Sequence, residues 1–95
     1  KSEITIEELS ICNPVRNLAK FVMMQRQQDV DPLLLVEDSL STEDRLKELY
    51  LSFIITAYNN YPKFRKYEDQ QLLIEEYSND RYKTCLESVR ELKEK

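Results

Sequence analysis

Apolar positions recur along the chain at helical spacing almost from its start. From Pro14 onward, Val15, Leu18, Ala19 and Val22 follow the i, i+3, i+4, i+7 rule, and Phe21, Met23 and Met24 widen the stripe, which predicts a helix to about Gln28. Upstream, Thr5 and Glu8 have the spacing of a capping box, with Ile6, Leu9 and Ile11 behind them, so a separate short helix is expected from 6 to 12. Glu3 to Ile6 also alternates, as an extended segment would.

The prolines punctuate this pattern. Asn13-Pro14 and Asp31-Pro32 each place a capping side chain before a proline, a residue favoured at the first helical position, so each pair reads as a helix start. Pro32 to Leu40 is long enough for two helical turns, and its run Leu33 to Val36 cannot face inward all at once. Ser41-Thr42-Glu43-Asp44 offers a hydroxyl cap and first-turn acids for the next helix, expected from 42 to 60. There Leu46, Leu49, Tyr50, Phe53, Ile54, Ala57 and Tyr61 hold the period, while Leu51, Ile55 and Tyr58 lie off it. A helix apolar nearly all round belongs at the centre of a domain, covered on both sides. Beyond Pro62, Phe64, Tyr67, Ile74 and Tyr77 and then Tyr82, Cys85, Leu86, Val89 and Leu92 continue the spacing. Ser78-Asn79-Asp80 between them predicts two helices, the second capped by Asp80.

The fold class is therefore all-α: an antiparallel bundle of about four helices, with a fifth short one at the N-terminus, around a central apolar helix 42–60. Residues 1–95 form one domain, and opening on Lys1 the chain is expected to be a segment of a longer protein. The order of helix, proline connector, long helix, proline and helix is compatible with small helical adaptor domains of transcription and chromatin proteins. No motif of such a domain is matched residue by residue.

Composition narrows the chemistry. The 95 residues include no glycine and no histidine, which removes glycine-rich phosphate loops, the commonest general base and the commonest zinc ligand. No catalytic site, cofactor or metal is expected. With 14 basic against 18 acidic residues and a net charge of -4, the chain lacks the basic field that nucleic-acid binding needs. The longest apolar runs, Phe21 to Met24 and Leu33 to Val36, are too short to span a bilayer. Cys12 and Cys85 lie near opposite ends at apolar helical positions; two free thiols in a reducing compartment, nucleus or cytoplasm, are expected rather than a disulfide.

What remains is a surplus of apolar and basic surface. Phe21, Met23 and Met24 cannot share one helix face, and the leucine run exceeds what so small a domain hides. Tyr61 to Tyr67 packs three cations (Lys63, Arg65, Lys66) among three aromatics (Tyr61, Phe64, Tyr67). The expected function is a non-catalytic interaction module of an intracellular protein. It would dock a partner helix or linear peptide through Phe21, Met24, Leu33, Leu34, Phe64 and Tyr67 in an apolar groove between helices. Self-association through the same surface is one alternative. An acidic or phosphorylated segment held by Lys63, Arg65 and Lys66 is the other.

Overall fold

The computed structural model describes residues 5–94, and every regular element among them is a helix: α1 (Ile6–Gln27), α2 (Pro32–Ser39), α3 (Asp44–Asn60) and α4 (Tyr67–Glu94). Glu3 and Ile4, which the alternation allowed to be extended, lie outside the described residues, as do Lys1 and Lys95. The capping box forms as expected: Glu8 donates its backbone N–H to Thr5 Oγ1 at 3.1 Å, and Thr5 donates its own to Glu8 Oε1 at 3.0 Å.

Two expected helices then prove to be one, because α1 runs straight through Asn13-Pro14. Proline in a helix interior removes one hydrogen bond and crowds the carbonyl four residues back. Here that carbonyl belongs to Ser10, which is exposed along with Pro14, so water can take the place of the lost partner. Tertiary anchors hold the first turns in line with the rest. Buried Glu8 lies 3.8 Å from Arg90 of α4, and Cys12 is covalently joined to Cys85.

That bond corrects the reading of two free thiols. Cys12 and Cys85 form a disulfide across α1 and α4 with their Cα atoms 5.7 Å apart. Their apolar spacing identified both as inward-facing; what the spacing did not contain is that the two helices run antiparallel and bring the inward positions opposite each other.

At its C-terminus α1 closes with a Schellman pattern, Val30 N–H donating to Gln25 O and Asp29 N–H to Arg26 O. The left-handed position usually given to glycine is taken by Asp29, at φ 63°. Asp31 then caps α2 as expected, accepting from Leu33 N–H at 3.0 Å. α3 begins later than expected, at Asp44, since the Ser41 and Thr42 hydroxyls turn back to Asp38 O and leave no side-chain cap. α4 is one helix rather than two. Ser78 is buried with its hydroxyl donating to Glu75 O, and Tyr77 is locked in the core, so the cap-forming residues ride inside the helix without breaking it.

α1 lies along α4 and also packs on α3, and α2 packs on α3. The backbone occupies 42 × 31 × 19 Å, about two helices thick in its shortest direction. The core joins Val15, Ala19, Val22 and Met23 of α1 to Leu35 of α2, Tyr50, Phe53, Ile54 and Ala57 of α3, and Ile74 and Tyr77 of α4. In a slab this thin α3 buries one face only. Ile55, opposite that face, is 61% exposed, so within this chain the helix is not covered all round.

Candidate functional site

The segment between α3 and α4 holds the basic and aromatic tract, and α1 fixes its shape. Gln27, buried on the core face of α1, acts as a two-pronged clamp: its Nε2 donates to Pro62 O at 2.8 Å and its Oε1 accepts from Phe64 N–H at 2.8 Å. Its neighbour Arg26 donates to Tyr61 O through Nε and Nη2, at 3.3 and 3.0 Å, with its guanidinium 5.3 Å from the Tyr58 ring centre. Gln70 of α4 donates to Phe64 O at 2.7 Å. A backbone that lacks helical partners thus has side-chain ones, as a partly buried connector requires. The sequence carried a signal for Gln27 that the stripe analysis passed over: it lies four residues after core Met23, on the apolar face.

The sequence-predicted residues fall on three helices and one connector. On α1, Met23 is buried, Met24 is half-buried against the core, and Phe21 stands at the edge with its ring 6.5 Å from that of Tyr50 in a T-shaped contact. On α2 only Leu35 of the leucine run is buried; Leu33 and Leu34 are 65% and 58% exposed, and Leu40 just beyond is 66% exposed. In the connector, Lys63 pairs with Asp29 at 3.1 Å and Phe64 is half-buried, while Arg65 and Lys66 are exposed. Tyr67, also exposed, opens α4. Tyr61 belongs to the core side, its ring 5.1 Å from that of Tyr77.

Three tyrosines are electrostatically distinct. Burial pushes the Tyr77 hydroxyl up to about 12; Arg81 opposes the shift, and Tyr61 and Asp80 add to it. The same hydroxyl donates to Phe53 O at 3.3 Å, tying α4 to α3. Tyr50 is raised by burial and by its 2.7 Å hydrogen bond to Asp38, which links α3 to α2. Tyr58, raised by burial against the opposing charge of Arg26, donates to Val30 O at 2.7 Å. All three act as neutral donors that pin one element to another.

Among the clefts lined by described residues, three bear on the candidate surface. One of about 290 Å³ lies between α1, α3 and α4, with Val15 and Phe53 in its floor and Ser52, Arg81, Thr84 and Ser88 around it. A second, about 470 Å³, separates Ser10, Ile11 and Pro14 from Glu43, Arg45 and Leu46. The third, about 290 Å³, runs beside α4 from Phe64 to Leu72 and Leu73, between the carboxylates of Asp69 and Glu76. Phe64 lines this third cleft, whereas Phe21, Met24, Leu33 and Leu34 line none of the three. Among the described residues no three His, Cys, Asp or Glu side chains are grouped to hold a metal ion, and no helix is long and apolar enough to cross a membrane.

Comparison with protein-family models, with curated proteins and with solved structures finds no match to this chain.

Proposed function

We propose that the chain is a non-catalytic interaction module whose docking surface centres on α2. The observation that carries this reading is the exposure of Leu33, Leu34 and Leu40 on and beside an eight-residue helix. With about three-fifths of each of the three side chains still in water, covering the rest is worth about 1–2 kcal/mol each, a gain that a partner helix or linear peptide laid across them would realise. The near-continuous apolar sequence of α3 points the same way. Ile55 on its open face is a further large aliphatic side chain left in water.

The basic tract takes a lesser part. Lys63 is spent on Asp29 and Phe64 is tied by its backbone to Gln27 and Gln70, as a helix corner would be, which leaves Arg65, Lys66 and Tyr67 as its outward groups. The expectation of a reducing compartment rested on free thiols, and with the cysteines paired it does not enter this proposal.

The test compares capture by the wild-type domain with capture by Leu34→Glu and by Phe64→Glu. Loss with Leu34→Glu alone supports docking on α2, loss with Phe64→Glu alone moves the site to the third cleft, and undiminished capture by both overturns the proposal. Sedimentation over a hundredfold dilution runs alongside: a dimer that Leu34→Glu dissociates assigns the leucines to self-association instead.

A further inference from the structure

We propose that the Cys12 to Cys85 bond is a redox switch: its reduction by a small thiol releases residues 6–13, the start of α1, from α4 and leaves the rest of the bundle folded. This inference stands on the disulfide and the proline beside it and does not depend on the α2 surface.

α1 is continuous in its backbone but divided in its anchorage. Past Pro14 it gives Val15, Ala19, Val22 and Met23 to the hydrophobic core. Residues 6–13 give that core none: Glu8 and Cys12 are buried there, while Ile6, Leu9 and Ile11 are exposed. This end is tied to α4 by the covalent bond and by Glu8, 3.8 Å from Arg90. So short a segment does not keep a helix by itself once undocked. On release Glu8 and Arg90 become hydrated together, so neither charge is left buried alone.

The junction also suits the released state. Pro14 has no N–H to give Ser10 O, so the bonded helix crosses this point with one hydrogen bond fewer. With 6–13 undocked, Asn13 is placed to cap a helix that begins at Pro14, the position where proline is favoured. The helix then begins where its core residues begin, and the penalty of an interior proline falls on the bonded state alone.

One sulfur is within reach of a reductant. Cys12 has no exposed surface, whereas Cys85 lines the cleft of about 290 Å³ between α1, α3 and α4. A thiolate entering there attacks the Cys85 sulfur, the bond to Cys12 breaks, and Cys12 leaves as a thiolate that takes up a proton. A second thiol attacks the mixed disulfide and frees Cys85, so the two small thiols end as one disulfide and the protein's disulfide ends as two thiols. Release uncovers the stretch of α4 from Cys85 to Arg90, which carries the half-buried Leu86 and Val89.

The test is NMR of the full chain with and without dithiothreitol, read as Cα shifts and amide protection. The oxidised protein should show helical shifts throughout 6–27. On reduction residues 6–12 are expected to move to random-coil shifts and to lose about a hundredfold or more in amide protection, while 15–27, 44–60 and 67–85 keep helical shifts. The Cys12→Ser/Cys85→Ser variant should reproduce that pattern without reductant. Pro14→Ala should oppose release and keep 6–12 helical in the reduced chain, and Asn13→Ala, which the continuous helix tolerates, should destabilise the reduced chain. Helical shifts retained through 6–12 after reduction, their loss throughout the chain, release undiminished by Pro14→Ala, or a bond that dithiothreitol reduces only in denaturant would each overturn the proposal.

Discussion

Pro14→Ala should stabilise this protein substantially, and the size of the gain follows from where Pro14 sits. It lies well inside the 22-residue helix α1, where proline is about 3 kcal/mol less favourable than alanine through the lost hydrogen bond to Ser10 O and the clash of its ring. Its side chain is exposed, so truncation sacrifices little burial. Against the gain stands the unfolded chain, which proline restricts by about 0.4–1 kcal/mol relative to a freer residue. The net expectation is about 2 kcal/mol of added stability, or roughly 8–16 °C in the melting temperature of a domain this small. Urea denaturation followed by far-UV circular dichroism measures it directly. Asn13→Ala is the companion experiment because its sign depends on the same question. If α1 is continuous, asparagine is a mid-helix residue and alanine improves it by a few tenths of a kcal/mol. If instead Asn13 caps a second helix, its removal costs about 1 kcal/mol. A neutral or harmful Pro14→Ala together with a destabilising Asn13→Ala would refute the single helix and restore a break at residue 13.

Three further outcomes are expected. The Cys12 to Cys85 bond closes a loop of 73 positions, worth about 4 kcal/mol by loop-closure entropy, so the Cys12→Ser/Cys85→Ser double variant should lose a large share of the stability. Hydrogen exchange in residues 6–12 should rise first, and an equal urea midpoint for both proteins would contradict this. Gln27→Ala strips the clamp from Pro62 O and Phe64 N–H and should cost about 2 kcal/mol, read as a lower thermal midpoint; a loss of under 0.5 kcal/mol would mean that water replaces the amide. Stability should also fall at alkaline pH. The folded state holds the Tyr77 hydroxyl up to about 12, above its unfolded value near 10, so the native chain keeps a proton the unfolded chain gives up. That contribution is whole below pH 10 and lost as pH rises toward 12. Denaturation midpoints flat between pH 9 and 12 would show that the hydroxyl is not held this way.

The local grammar of the chain was enough for the all-helical class, the Thr5–Glu8 capping box, the Asp31-Pro32 start of α2 and the expectation that the leucine run cannot all face inward. Each of these depends on neighbours within about four positions, the range over which periodicity and caps act. The same grammar read Asn13-Pro14 and Ser78-Asn79-Asp80 as breaks, and the tertiary structure overruled both. Two contacts between α1 and α4, Glu8 beside Arg90 and the Cys12 to Cys85 bond, and the packing of Tyr77 under Tyr61 at the end of α3 hold the helical turns next to these junctions. Only that pairing could decide the fate of the cysteines, since bonding two thiols depends on a Cα separation of 5.7 Å that no sequence spacing encodes. It also decided which polar residues matter. Gln27 looks like an ordinary surface amino acid along the chain, and it becomes a clamp through a connector that meets it from 35 and 37 positions away.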